Sequence, residues 1–204
     1  MEAREQVKTI KKNTHALLSM LDKLGDEIDD KPHAYGDMAY KVAIHSEYLQ
    51  RSIRRLTINE SSTVAYDVQE NDYLLEAADA LDIAVEESSD AVTITIPGLM
   101  AKRKHANIGF ITKPLFARLR QFTHTKETRD RFTYCTVHVT FIYNRSMGTR
   151  NRIRDYDNLE LKPILDTIAF FFMEDDTGLL CKFVYTSELG DADKTVISIT
   201  HNTP

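Results

Sequence analysis

The sequence predicts an α/β chain of the α+β kind: a small mixed sheet with packed helices, preceded by an N-terminal helical hairpin. Three observations carry this. The first sixty residues hold two long apolar stripes at helical spacing. Beyond them, shorter helix-like stretches alternate with runs rich in Val, Ile, Thr and Phe. At 204 residues and 42% hydrophobic content, the chain is long enough to bury a core, in one domain or in one with an appendage.

From about Glu2 to Asp29 the spacing predicts a helix, because Val7, Ile10, Thr14, Leu17, Leu21, Leu24 and Ile28 alternate steps of three and four. Lys31-Pro32 breaks it, and Tyr35-Gly36-Asp37 leads into a second helix carrying Met38, Val42, His45, Leu49, Ser52 and Leu56. A short polar link between two such helices predicts an antiparallel hairpin. Its Leu-rich stripes are structural, packing on the rest of the protein or against a second copy. His45, on or beside the stripe, is expected to be a hydrogen-bonded interface histidine and not a metal ligand.

Asn59 to Thr63 is expected as a polar linker, followed by a short helix from Glu70 to Leu81. Ile83–Val85 and Val92–Ile96 flank a polar turn and predict a strand hairpin, which Pro97-Gly98 ends. Thr112 as cap and Pro114 in the first turn predict a helix to about Phe122, with Leu115, Leu119 and Phe122 inward and Arg118 outward. Phe132 to Tyr143 alternates as a strand, with Val137, Val139 and Phe141 on one face and His138, Thr140 and Ile142 on the other. An Arg-rich loop then leads to a helix from about Asn158 to Phe172. Leu179–Thr186 and Lys194–Thr200 complete the sheet. The expected division is a hairpin over 1–58, a linking region over 59–93 and a main domain over 94–204.

The formal charge of −5 is unevenly distributed. From Lys102 to Arg154 there are thirteen basic residues against Glu127 and Asp130, a balance of +11; the remainder carries thirteen basic and 29 acidic residues, a balance of −16. Such segregation either solvates a face or steers an anionic partner to it. The two cysteines, Cys135 and Cys181, sit in strand-like apolar runs and are expected as buried thiols of a cytoplasmic protein. No apolar run approaches membrane-spanning length.

The basic stretch ends at Arg154-Asp155-Tyr156-Asp157-Asn158-Leu159. In an extended segment residues i and i+2 share a side, so Asp155 and Asp157 present two carboxylates to one small volume. They repel unless a proton or cation lies between them. Oxygen donors suit Mg²⁺ or Mn²⁺. Lys162, Asp166 and the pair Asp175 and Asp176 follow. The plainer readings are that Asp157 or Asn158 caps the next helix, and that Lys162 and Asp166 form an i,i+4 salt bridge.

These residues resemble the signature of the RusA-type Holliday junction resolvases common in prophages: Asp-x-Asp-Asn-Leu, a lysine, Leu-Asp-Ala-Leu, and a helix ending in Asp-Asp. The matching positions are Asp155, Asp157, Asn158, Leu159, Lys162, Leu165-Asp166-Thr167-Ile168 and Asp175-Asp176. Lys102-Arg103-Lys104 and Phe110 to Leu115 are similar to the family's basic loop and helix entry. The resemblance spans roughly Ile94 to Ile199. It implies a RusA-like mixed α/β fold, a homodimer, and Mg²⁺-dependent (or Mn²⁺-dependent) incision of branched DNA in recombination and repair. It further implies Asp155, Asp157 and Asp176, with Asp175 alongside, as metal-binding and catalytic carboxylates. Lys162 would act at the scissile phosphate, and Lys102, Arg103, Lys104, Lys113, Arg145, Arg150, Arg152 and Arg154 would bind nucleic acid. Two features depart from the pattern. Lys162 stands five residues after Asp157 where the family has four, and the segment before Ile94 has no counterpart in the minimal family. The alternative is a non-catalytic DNA- or junction-binding protein, or a protein-interaction module of a mobile element.

Overall fold

The structure, a computed structural model, describes residues 3–30, 36–63, 68–98, 109–125, 131–147, 153, 156 and 161–202. The chain divides into two units, Met1–Ala65 and Tyr66–Pro204.

The first unit is built from α1 (Ala3–Asp30) and α2 (Gly36–Thr63). Each has 28 residues and is therefore about 42 Å long. The five residues between them cannot cross that distance, so the pair is antiparallel. His45 Nε2 donates to the Asn13 carbonyl across the pair at 3.1 Å, the interface role expected of it. Asn59–Thr63, expected as a linker, continues α2 instead. Polar composition alone does not stop a helix when no Gly or Pro intervenes. Among the described residues of this unit, only Val42 and Arg54 are buried.

The second unit opens with α3 (Val68–Ala80), which ends in a Schellman motif. Ile83 N–H bonds the Ala78 carbonyl and Asp82 N–H bonds that of Asp79, with Asp82 in the left-handed region at φ 53°. The cap turns the chain into β1 (Ala84–Glu87) and β2 (Ala91–Pro97), the expected strand hairpin. Then come α4 (Gly109–His124), β3 (Cys135–Asn144), a 3-10 turn at Arg145–Met147, α5 (Lys162–Phe172), β4 (Cys181–Gly190) and β5 (Lys194–His201). Helix α4 starts at Gly109, ahead of the Thr112 cap expected from sequence, which leaves Pro114 inside the helix and buried. Its missing N–H falls near enough to the N-terminus that only one intrahelical bond is forgone.

The strands form one five-stranded sheet in the order β1-β2-β5-β3-β4, antiparallel except for the parallel pair β3–β4. Register puts Val92, Ile199, Val137 and Phe183 in one row, and Ile94, Ile197, Val139 and Tyr185 in the next. Those rows face Ile111, Leu115 and Leu119 of α4 and Ile164, Ile168 and Phe172 of α5, all in one core cluster. The opposite face carries Thr93, Ser198, Thr136, His138, Thr140 and Thr186. Its hydroxyls are bonded to one another, and His138 Nε2 lies 3.1 Å from Thr186 Oγ1. Arg118, expected to point outward, is mostly covered and pairs with Asp79 of α3 and with Gln121. The unit is a small mixed α/β domain with packed helices. Among the described residues, no helix is long and apolar enough to cross a membrane.

Ile197 is wholly buried in the second of these apolar rows, between Ile94 and Val139. Ile197→Ala should lower unfolding stability by about 2–4 kcal/mol, read from urea denaturation of the second unit's transition. The open-face substitution Thr93→Ala should stay within about 1 kcal/mol.

Candidate functional site

Because β3 and β4 run parallel, the chain between them must return from the carboxyl end of one to the start of the other. Helix α5 makes that return. Its last residues are tied beside the entry to β3: Phe132 N–H bonds the Phe172 carbonyl at 2.8 Å, and Glu174 N–H bonds the Phe132 carbonyl at 3.1 Å. Its first turn therefore lies toward the carboxyl ends of β3 and β4. Tyr156, the central residue of the acidic motif, is found at that same end of the sheet. Its ring stacks on Phe141 of β3 and Tyr185 of β4, with both centroids 5.4 Å away. Its hydroxyl lies 3.3 Å from Ser187 Oγ. Sequence reasoning attended to the acids and passed over this tyrosine. The available signal was the same alternation: if Asp155 and Asp157 share one side, the residue between them takes the other.

Asp155 and Asp157 themselves, with Arg154 and the expected caps Asp157 and Asn158, lie outside the described residues. So do Lys102, Arg103, Lys104, Arg150 and Arg152. Described α5 begins at Lys162, later than the Asn158 start expected, with Leu161 at the cap position and no side-chain cap bond. Lys162 Nζ lies 3.0 Å from Asp166 Oδ1, so the i,i+4 salt bridge is formed. Both partners are solvent-accessible, and such a pair contributes little to stability. The hydrogen bond and charge of Asp166 push the Lys162 ammonium above its ordinary pKa, and the charge of Asp176 adds a smaller push in the same direction. Asp175 and Asp176 are exposed beyond the end of α5. Neither has an ion-pair partner among the described residues. Among those residues, no three His, Cys, Asp or Glu side chains stand close enough to hold a metal ion.

Of the expected nucleic-acid ligands within the described residues, Lys113 sits half-buried in the second turn of α4. Arg145 follows β3 and turns toward the β4–β5 connection. Its guanidinium donates to the Leu189 carbonyl at 3.2 Å and lies 3.5 Å from Asp191. Arg145 thus holds a turn, and a ligand would have to share it.

At the other end of the parallel pair, Cys135 and Cys181 face each other in register, both free and buried. Burial first, then the hydrogen bond with Cys135, pushes the Cys181 thiol up to about 12, and the nearby charge of Asp176 adds to it. Burial raises Cys135 as well. At neutral pH both are thiols, poor ligands and poor nucleophiles.

Over residues 2–204 the chain matches the Family of unknown function (DUF6100), and it belongs to that family. No curated protein matches it.

The raised thiols link stability to alkaline pH. Below pH 9 folded and unfolded chains both keep the Cys181 proton and the contribution is intact. Between pH 9 and about 12 the unfolded chain releases it first, so stability falls as pH rises. Urea midpoints taken from pH 8 to 11 should fall less steeply for Cys181→Ala than for the unmutated chain. Parallel slopes would show that Cys181 does not titrate as its surroundings dictate.

Proposed function

We propose that the chain is a metal-dependent endonuclease that hydrolyses phosphodiester bonds in branched DNA, in the manner of the RusA-type resolvases its acidic motif resembles. The observation that carries this reading is the clamp on Tyr156. It fixes the middle of the Asp-Tyr-Asp motif at the carboxyl ends of two parallel strands, the edge of an open α/β sheet where ligands characteristically bind. The first turn of α5, with Lys162, points to the same edge.

The donor set fits a hard divalent cation. Asp155 and Asp157 would offer carboxylate oxygens at that edge, and Asp176, with Asp175 alongside, would join them only by reaching from the far end of α5, beside the entry to β3. These carboxylates would hold Mg²⁺ or Mn²⁺, which supplies charge neutralisation at a phosphate and a more acidic bound water. The remaining roles belong to the chain's own groups. Lys162, held above its ordinary pKa by Asp166, stays protonated at physiological pH. It cannot accept a proton there; its contribution is a fixed positive charge offered to the phosphate. Arg150, Arg152, Arg154, Lys102, Arg103 and Lys104 would contact backbone phosphates, which gives position without sequence information. Two such sites in a homodimer match the two symmetric strands of a four-way junction.

A second reading, a non-catalytic junction-binding protein, draws on one observation: the Lys162 ammonium is already bonded to Asp166 and partly neutralised. Labelled four-way junctions and forks, incubated with and without Mg²⁺, separate the two. The nuclease reading expects Mg²⁺-dependent nicking by the unmutated chain. Asp157→Asn should lower it by at least about a hundredfold while DNA affinity is kept or increased, because a negative charge facing phosphates is removed. Salt-dependent binding with no nicking under any divalent ion would sink the nuclease and leave the binding protein.

A further inference from the structure

The N-terminal hairpin lacks what a folded unit needs. Two helices enclose little, and among the described residues one aliphatic side chain, Val42, is buried. Meanwhile Val7 at 37%, Leu18 at 54%, Leu21 at 44% and Ile28 at 41% remain exposed on α1. At 100° per residue these four fall within about a quarter-turn of one another, beside the face that meets α2. Thr14 and Gly25 complete the stripe.

Charge on α1 is divided by halves. Residues 3–16 hold Arg4, Lys8, Lys11 and Lys12 against Glu5; residues 17–30 hold Asp22, Asp26, Glu27, Asp29 and Asp30 against Lys23. This order opposes the helix dipole, which favours acids at the start and bases at the end. Nor does α2 offset it. Antiparallel to α1, with His45 level with Asn13, it sets Arg51 and Arg54 with Glu47 beside the basic half, and Asp37 with Lys41 beside the acidic half. The hairpin is positive at one end and negative at the other.

We infer that α1 docks antiparallel on α1 of a second copy of this chain, along the stripe of Val7, Leu18, Leu21 and Ile28. Reversal of direction brings each basic half against an acidic half. The side-chain order supports one register. Arg4, Lys11, Asp22 and Asp29 are all exposed, and by helical angle they fall on one edge of the stripe. In an antiparallel pair related by a twofold axis, like edges meet. Arg4 and Lys11 are seven residues apart, as are Asp22 and Asp29. One alignment therefore sets Arg4 against the second copy's Asp29 and Lys11 against its Asp22, twice over. The same alignment puts Leu18 next to its own equivalent at the axis, and Val7 beside Gly25 and Ile28 of the second copy. A parallel pairing would juxtapose like halves. The inference stands whether or not the chain is a nuclease.

The test uses the full chain in three forms: unmutated, Arg4→Asp with Lys11→Asp, and Asp22→Lys with Asp29→Lys. Sedimentation velocity should find the unmutated chain dimeric at micromolar concentration. Each charge-reversed chain should be monomeric, with its dissociation constant raised at least about tenfold. An equimolar mixture of the two should form heterodimers, resolved by native mass spectrometry, because the edges are complementary again. Circular dichroism reports whether each chain keeps its helices. If reversal unfolds the hairpin, Leu18→Cys supplies a second measurement. Mild oxidation by a copper–phenanthroline complex should link two copies through that position, and Tyr40→Cys, away from the stripe, should not link. An unmutated chain that stays monomeric at 0.1 mM overturns the inference (on the order of the weakest biologically useful contacts). So do dimers that survive both reversals, or a mixture without heterodimers accompanied by no Leu18→Cys cross-link.

Discussion

The parallel pairing of β3 with β4 is the constraint on which the second unit turns. Parallel neighbours cannot be joined by a tight turn, so a helix has to carry the chain back across the sheet. That requirement fixes α5 on the apolar face, where Ile164, Ile168 and Phe172 complete the core. It also brings both carboxyl ends to one edge, and with them Phe141, Tyr185 and Ser187, the three side chains that receive Tyr156. Core and site are consequences of one connection. A sheet with β4 antiparallel to β3 would have put Tyr185 and Phe141 in another relation, and the clamp would have no partners.

Electrostatics separates the two ends of that parallel pair. At the entry end, burial keeps Cys135 and Cys181 as thiols, helped at Cys181 by the hydrogen bond between them, so two nucleophilic residues are held protonated. Along α5, Asp166 holds Lys162 as a permanent cation. One carboxylate used in this way is not available as a metal ligand. This sorts the acids of the motif region by role, with Asp166 a charge partner and Asp175 and Asp176 exposed and uncommitted among the described residues. Sequence spacing alone cannot make that distinction, because an i,i+4 acid and an acid past the helix end look alike until the side chains are placed.

The elements with strong periodicity were legible. Alternation from Val137 to Phe141 separates the two faces as the structure has them, because a half-buried strand has one solution to the question of which side is apolar. Boundaries were less legible wherever the stop signal was statistical. Asn59–Thr63 reads as linker because its residues favour turns, yet they carry no steric bar to helix, and α2 runs through them. Pro114 suggests a first turn, but the helix tolerates it further in because the neighbouring N–H groups are still near the free end. Arg118 reads as outward-facing in the sequence, yet it is mostly covered and pairs with Asp79, distant in sequence. The site was legible as a list of acids and illegible as an arrangement. Its anchor is an aromatic contact between residues far apart in sequence, and nothing in the pattern of carboxylates announces it.

The two units differ in what holds them, and this has a consequence for how the chain behaves. The second unit buries continuous rows of Val and Ile, so its stability is its own. The first has 28-residue helices with little enclosed apolar surface and a charge order that works against the dipole of α1. On the proposed pairing of α1 with a second copy, folding and association of this hairpin share one equilibrium. Its helicity should then depend on protein concentration while the sheet's does not. Both the basic middle and the charge order of α1 gather like charges in a way that is unfavourable in isolation.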